Sequence, residues 1–232
     1  MLHLEVPGGG SEVLLHSCCA PCSGAVLECL LANGIRPVVF FSNSNIVPRE
    51  EYDLRLSELR RYCDSLGVTL VEDEYDHDAW RNLVLEVPPG SAMPERQLAH
   101  DTKLLRSFKI TRCPSRPVAS TPEELAAAPE RGPRCLNCFK FRLKRAADYA
   151  TAHGMPVLTT TLASSRWKSL EQVEEAGLWA CREIAGQAGK DIIFWSQNWR
   201  KGGLQERRSQ IICEQNFYNQ NWCGCEFSHR NV

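Results

Sequence analysis

The sequence predicts an α/β fold, in which helices cover both faces of a mostly parallel sheet. Short apolar runs rich in β-branched residues alternate with longer amphipathic stretches, and glycines such as Gly67 and Gly154 follow the stretches of helical character. A chain of 232 residues is long enough to bury a substantial core. Regular alternation of strand and helix is typical of parallel sheets, because parallel strands need a crossover connection.

Each element follows from a local pattern. Strands are predicted at the apolar runs 13–16, 38–41, 68–71, 157–161 and 192–195. The first helix begins near Pro21, since proline suits the first helical turn. Apolar spacing predicts further helices over about 49–66, from the cysteine pair near 135 to about 153, and over about 169–188.

The stretch from about 88 to 133 interrupts this rhythm. It holds eight of the thirteen prolines and shows no sustained period, apart from one short helix predicted over 122–128. Such a long irregular connection in a compact domain is typically functional or mobile. We therefore expect residues 1–232 to form one α/β domain with a proline-rich insertion at about 88–133.

Seven of the twelve cysteines fall into three compact groups. C-C, C-x-C and C-x-x-C spacings place thiols around a common centre, as metal and cluster sites require. Four thiolates can close a structural zinc site, whereas seven exceed the needs of one zinc ion or one cubane cluster. The surplus favours a second metal or a redox-active thiol pair. The groups are Cys18, Cys19 and Cys22, then Cys135 and Cys138, then Cys223 and Cys225.

The first group follows the first predicted strand, at the sheet edge where doubly wound folds bind ligands. A thiol at a helix N-terminus there is favoured as thiolate. His16 stands beside this group and is a candidate ligand or proton donor, although a hydrogen-bonded core histidine is the favoured interpretation. Thr160, at the end of the fourth strand, is a second candidate to hold a water as proton donor.

Basic and aromatic residues follow the fifth predicted strand. Trp199 is joined to Arg200 and Lys201 and then to two glycines, with Arg207 and Arg208 close behind. This composition fits a loop that stacks on a base and holds phosphates, although such aromatic residues also form cores. Composition alone leaves open whether these five residues contact RNA or pack in the core, and contact with RNA is the hypothesis carried forward.

The composition also indicates where the protein works. No signal peptide is visible at the N-terminus, and no apolar run approaches the length of a membrane helix. We expect a cytoplasmic protein without a membrane partner, because a reducing compartment favours metal or redox chemistry for clustered thiols.

Several motifs together resemble the QueH-type epoxyqueuosine reductase family. Other parts of the chain, among them the segment after the second strand, also match the family's sequences in order and character. The insertion is longer than the family's usual connection before the second cysteine pair. The blocks are His16-Ser17-Cys18-Cys19-Ala20-Pro21-Cys22-Ser23, Arg134-Cys135-Leu136-Asn137-Cys138, Thr159-Thr160-Thr161-Leu162 and Tyr218-x-Gln220-Asn221-Trp222-Cys223-Gly224-Cys225.

The resemblance implies a Rossmann-like fold of the nucleotide-binding alpha-hydrolase type and reductive deoxygenation of epoxyqueuosine to queuosine. The substrate base would lie at the wobble position of the tRNAs for His, Tyr, Asp and Asn. The resemblance also implies a [4Fe–4S] cluster beside a mononuclear iron, without cobalamin. An external electron donor is expected, because no motif of the sequence points to a bound flavin or nicotinamide. The seven grouped cysteines would be the ligands, with Cys22 on the adjacent iron and so at the catalytic position.

Two other classes remain open. A zinc-stabilised, non-catalytic RNA-binding module would use four of the thiols. A tRNA sulfur-transfer enzyme of related fold would need a phosphate-binding loop after the first strand, where this chain has Cys-Cys-Ala-Pro-Cys-Ser instead.

Overall fold

The protein is described here from a computed structural model, which covers residues 2–87, 121–188 and 191–228. Its centre is a five-stranded, all-parallel sheet in the order β3-β2-β1-β4-β5. The predicted fold class is confirmed, and each strand overlaps its predicted run. The strands are β1 (Glu12–Ser17), β2 (Arg36–Phe41), β3 (Leu70–Glu72), β4 (Val157–Thr160) and β5 (Ile193–Phe194).

Seven helices surround this sheet within the described ranges. Across these ranges, none is both long and apolar enough for a membrane span. The helices are α1 (Ala20–Ala32), α2 (Arg49–Leu66), α3 (His77–Val84), α4 (Pro122–Ala127), α5 (Pro133–Ala152), α6 (Leu170–Ala188) and α7 (Leu204–Glu214).

The predicted insertion is described only in part, since residues 88–120 lie outside the described ranges. Its predicted short helix is confirmed as α4. The Thr121 side chain accepts a hydrogen bond from the Glu124 amide at 3.2 Å, so a threonine cap fixes the start of α4. Pro133 then opens α5, which carries the second cysteine pair.

Strand β1 lies at the centre of the sheet and organises the core. Val13, Leu14 and Leu15 are fully buried, because helices cover this strand. Helix α1 packs on α2 and α7, while α5 packs on α3 and α6. The strands and most of the helices share one main apolar core, while Trp80 and Val84 of α3 form a second, smaller cluster with Phe141 of α5.

The strand order sets the position of the site. The chain runs outward from β1 through β2 to β3, and then returns to place β4 on the other side of β1. Ligands of such sheets bind where the order reverses, beyond the carboxyl ends of the strands. His16 of β1 pairs in register with Thr160 of β4 there, two positions before Cys18.

Candidate metal centre

The first cysteine group forms a compact thiol triad at the β1–α1 junction. The three Sγ atoms of Cys18, Cys19 and Cys22 lie within 4.8 Å of one another, and all three residues are buried. The Cys18 and Cys19 sulfurs are 3.7 Å apart. Cys19 precedes α1 in extended conformation and Pro21 lies in its first turn, so the turn directs several thiols to one point.

The other two groups converge on the same place. A cavity of about 420 Å³ is lined by six of the seven grouped cysteines. The seventh, Cys19, accepts a hydrogen bond from the Gln220 Nε2 atom at 2.7 Å, and Gln220 itself lines the cavity. The structure therefore brings together residues separated by two hundred positions. The six lining cysteines are Cys18, Cys22, Cys135, Cys138, Cys223 and Cys225.

A buried arginine of α2 holds the C-terminal cysteine segment in place. Arg55 is 3% exposed, pairs with Glu51 at 2.5 Å and donates to the carbonyl of Cys223 at 3.1 Å. Gly224, with φ of +99°, fits closely here, because a Cβ atom would approach Ile46 and Arg55 within 3.2 Å. A side chain at this position would be strained by the positive φ and would require Ile46 and Arg55 to shift.

Two thiols of the site are favoured as thiolates. Hydrogen bonds from Cys19 and Cys22 hold the pKa of Cys18 well below the usual value of a thiol. A hydrogen bond from Cys225 lowers the pKa of Cys223 to about 5, and the positive charges nearby add to this shift. A thiolate is the form that binds metals.

The remaining thiols hold their protons more tightly in the metal-free protein. Burial raises the pKa of Cys135 to about 12 and also raises that of Cys138. The pKa of Cys225 is raised chiefly because this thiol donates to Cys223. Metal binding would therefore release protons, since every ligating cysteine must become a thiolate.

The cavity is strongly cationic. Among its described lining residues, seven are arginine or lysine and one, Glu130, is a carboxylate. Burial alone would lower the pKa of Lys168, but the negative charges of the Cys18 and Cys223 thiolates raise it above its usual value. Such a lining stabilises several thiolates and favours an anionic ligand. The seven cations are Arg55, Arg131, Arg134, Arg142, Arg166, Lys168 and Arg208.

Two further polar contacts reach the site. The Trp80 indole Nε1 donates to the Cys138 sulfur at 3.3 Å. Arg142 is 1% exposed and donates through Nε to the Ser42 carbonyl at 3.0 Å and through Nη2 to Asn43. Hydrogen bonds and charges around sulfur ligands tune the potential of a bound cluster, so these residues belong to the site.

The structure places His16, a candidate proton donor or ligand, in the core and not in the lining of the cavity. Its Nε2 atom lies 3.2 Å from the Ser42 carbonyl, which can only accept, so Nε2 carries the proton. Its Nδ1 atom then accepts from the Thr160 hydroxyl at 2.8 Å. Burial lowers the pKa of His16 to about 3, and the residue does not line the cavity. His16 is a neutral, hydrogen-bonded core histidine.

Thr160, the second candidate, is also buried and does not line the cavity. Its hydroxyl donates to His16 and accepts from the Leu162 amide at 3.1 Å, and the residue is 1% exposed. It holds two core segments together and cannot present a water to the cavity. Its neighbour Thr161 lies closer to the thiol triad, because the Thr161 hydroxyl accepts a hydrogen bond from the Cys18 amide at 3.3 Å.

Two of the five residues expected to contact RNA make contacts within the fold instead. Trp199 is fully buried and packs edge-on against Trp195, so its ring has no face for a base. Arg207 is bound in two ion pairs, to Glu28 at 2.6 Å and to Glu214 at 2.8 Å. Both residues stabilise the fold around α7.

The other three expected RNA contacts have different surroundings. Arg208 lines the cavity and donates to the Asn219 side chain at 3.1 Å. Lys201 is exposed but does not line the cavity. Arg200 donates through Nη2 to the backbone carbonyls of Ser165 and Lys168 and so supports a neighbouring loop.

The scattered cysteines lie apart from the site. Cys29, Cys63 and Cys181 are buried, as expected for small apolar residues, whereas Cys213 is exposed on α7. Cys113 lies outside the described residues.

Sequence reasoning missed the loop 165–168 as part of the site. The only available signal was the pattern Arg166-Trp167-Lys168, in which two cations flank an aromatic residue. Trp167 and Lys168 both line the cavity, although neither belongs to a cysteine group.

Comparison with known proteins shows that the chain is similar to members of one family. The sequence profile of a family described as "Epoxyqueuosine reductase QueH" matches residues 13–121 and 115–231 of the chain. Relatives bearing that same name are 35% identical in Haemophilus influenzae, over 98% of this chain and 76% of the relative, and 34% identical in Histophilus somni, over 99% and 76%. A relative of that name in Acinetobacter baylyi is 34% identical over 100% of this chain and 86% of its own length.

Proposed function

We propose the function of this protein on the basis of its family, since the chain belongs to the epoxyqueuosine reductase QueH family. It reduces epoxyqueuosine to queuosine in tRNA and is an oxidoreductase. The observation that supports this proposal most directly is the cavity at the carboxyl edge of the sheet. Six of the seven grouped cysteines line this cavity.

The donor set fits a [4Fe–4S] cluster with an adjacent iron. Thiolate is the usual ligand of iron–sulfur clusters, and seven thiols supply four for a cubane and three more for a second metal. The buried triad and the cationic lining suit an assembly that carries negative charge. We assign Cys22 to the adjacent iron and the other six grouped cysteines to the cluster and the second metal together.

When bound, this group would supply electrons singly and a Lewis acid for the epoxide oxygen. Reduction of an epoxide to an alkene consumes two electrons and two protons and releases the oxygen as water. The electrons come from an external donor. The chain contributes a buried cavity and the charges of Arg142 and Lys168, which favour thiolates and an anionic substrate.

The macromolecular substrate is the anticodon stem-loop of the tRNAs for His, Tyr, Asp and Asn, and the reaction takes place in the cytoplasm. The wobble nucleotide carries the reacting group, so the loop must deliver this nucleotide into the cavity. Arg131, Arg166 and Arg208 line the cavity and can meet RNA phosphates.

The proposed catalytic position is tested by Cys22→Ala, with Cys29→Ala as the matched control. Both residues are buried cysteines of α1, but only Cys22 lines the cavity. Anaerobic turnover of epoxyqueuosine-containing tRNA, followed by mass spectrometry of the nucleosides, should be lost in the first variant and retained in the second. Full turnover by the Cys22→Ala protein would refute the assignment.

A further inference from the structure

Trp167 is an exposed indole at the rim of the cysteine cavity. Its side chain is 65% exposed, although it lines the cavity. Exposure of a tryptophan forgoes the large stabilisation that burial of its apolar surface would give. No other large hydrophobic residue is as exposed in the parts of the chain that the structure describes.

Two arginines from different parts of the chain hold the loop of Trp167. Arg131 donates through Nε to the Trp167 carbonyl at 3.0 Å and through Nη2 to the Arg166 carbonyl at 2.9 Å. From the other side, Arg200 donates to the Lys168 carbonyl at 2.7 Å and to that of Ser165. The backbone is therefore fixed at four successive carbonyls, while the indole is left outward.

Arg131 is itself anchored in an unfavourable conformation. Its φ of +65° lies in the left-handed region, which costs a non-glycine residue roughly 1 kcal/mol. Its carbonyl accepts from the buried Gln172 side chain at 3.0 Å. The fold therefore maintains a strained residue whose guanidinium fixes the loop, which is typical of functional positions.

The rim around Trp167 is basic. Arg131 and Arg166 are exposed, Arg208 is half-buried, and all three line the cavity. An aromatic face among cations is how proteins bind single-stranded nucleic acid, with the aromatic ring stacking on a base and the cations meeting phosphates. A protein partner with an acidic surface would satisfy the charges but gives no reason for a rigid, outward indole.

We propose that Trp167 stacks on the anticodon-loop base next to the wobble nucleotide and thereby positions the substrate. This inference rests on the proposed function for its RNA partner. The wobble nucleotide has to reach the thiols inside the cavity, whereas most of the indole surface faces out of it. The indole therefore meets a base that remains at the rim. Trp167 is a positioning residue, and it replaces Trp199 in the expected stacking role.

The test compares Trp167→Ala and Trp167→Phe with the unchanged protein. Affinity for an unmodified anticodon stem-loop is measured by fluorescence anisotropy at several salt concentrations. Loss of one stacked base should weaken binding between about 5-fold and about 150-fold in the alanine variant, and phenylalanine should restore much of it. The slope of affinity against salt should not change, because no charge is removed.

Two controls separate stacking from charge and from general surface effects. Arg166→Ala should lower the salt slope, since it removes a phosphate contact. Leu178→Ala removes an exposed apolar side chain of α6 that does not line the cavity, and it should leave affinity unchanged.

Stem-loops from which a single base has been removed show which base Trp167 contacts. Removal of the neighbouring base should weaken binding to the unchanged protein but have little further effect on Trp167→Ala, because both changes remove the same contact. Equal additional losses in both proteins would overturn the proposal.

Turnover distinguishes this inference from the proposed function. Reduction of epoxyqueuosine tRNA by the unchanged protein, together with unchanged RNA affinity in Trp167→Ala, would overturn the stacking role and leave the function intact. Absence of any reduction would overturn the function, while the stem-loop measurements would still decide on the stacking. Weaker binding with raised KM and nearly unchanged kcat supports both.

Discussion

At the scale of single residues, His16 shows that neighbouring positions need not share a role. It lies two positions before the first ligand candidate, yet its side chain turns into the core. Ser42 and Thr160 occupy both ring nitrogens, so the imidazole is fixed as the neutral Nε2–H tautomer. The residue therefore connects β1 to β4 and to the segment after β2.

His16→Gln should keep turnover within about tenfold of the unchanged protein, because a general acid would contribute about 10²- to 10⁴-fold. Glutamine can still donate to the Ser42 carbonyl, so most of the local structure should persist. The measurement is anaerobic turnover across pH, with metal content determined on the same samples. A hundredfold loss at unchanged metal content would restore His16 as a proton donor.

The same variant tests the acid sensitivity of the fold. The pKa of His16 is about 3 in the folded chain and about 6.5 when unfolded, so the unfolded state binds more protons between these values. Stability is therefore lost as pH falls through 6.5 toward 3. From pH 7 to pH 5.5 this residue should cost about 1 kcal/mol in the metal-free protein, a loss that His16→Gln should lack in urea unfolding.

Arg207 is predicted to affect stability and not RNA binding. Its ion pair with Glu28 joins α7 to α1, whereas its pair with Glu214 lies within α7. Solvent weakens both pairs, because they lie at the protein surface. Arg207→Ala should lower the free energy of unfolding by about 0.5–1 kcal/mol and leave stem-loop affinity within twofold. Arg208→Ala is the comparison, since Arg208 lines the cavity. A large affinity loss in Arg207→Ala at unchanged stability would show that these pairs open for RNA.

At the scale of elements, α6 depends on a glycine that helix propensity disfavours. A Cβ atom at Gly177 would lie only 2.2–2.4 Å from ring carbons of Phe194, so the missing side chain allows α6 to pack on β5. Gly177→Ala should therefore lower stability by about 1–3 kcal/mol, despite the better helix propensity of alanine.

Gly186 of the same helix provides the control. A Cβ atom there would meet nothing within 4 Å, so Gly186→Ala should raise stability by up to about 1 kcal/mol. Urea unfolding of both variants gives the comparison. Equal effects of the two substitutions would show that α6 does not pack on β5 as described.

The strands and helices differ in how well the sequence predicts them. Buried strands were predictable, because parallel strands covered by helices are nearly continuous apolar runs. Helix α7 was not predicted, since it buries few residues, Leu204 and Ile211 among them, and the rest of its sequence is polar. Helix α3 is only eight residues long, and its start depends on the Asp76 cap.

For the site, the convergence of the cysteine groups was predicted, but the loop 165–168 was not. The cysteines are grouped along the chain, and β1 places the first group at a known ligand edge. The direction of Trp167 depends instead on Arg131 and Arg200, which lie some 35 residues away on either side. Side-chain contacts over such distances leave no local pattern in the sequence.

At the scale of the whole molecule, charge distribution matters more than net charge. The formal net charge is −1, yet the described lining of the cavity carries seven cations and one carboxylate. The sheet edge thus combines thiols inside with cations around them, as a reductase of an anionic polymer needs. The arrangement of 1–232 as one domain stays a prediction, because residues 88–120 lie outside the described ranges.

The most direct test of the account is the iron, sulfide and zinc content of anaerobically purified protein, measured with its visible spectrum. We expect about five iron atoms and about four sulfide ions per chain, with the broad visible absorption of an iron–sulfur cluster. One zinc ion without sulfide would contradict the reductase assignment and would indicate a zinc-stabilised RNA-binding module instead.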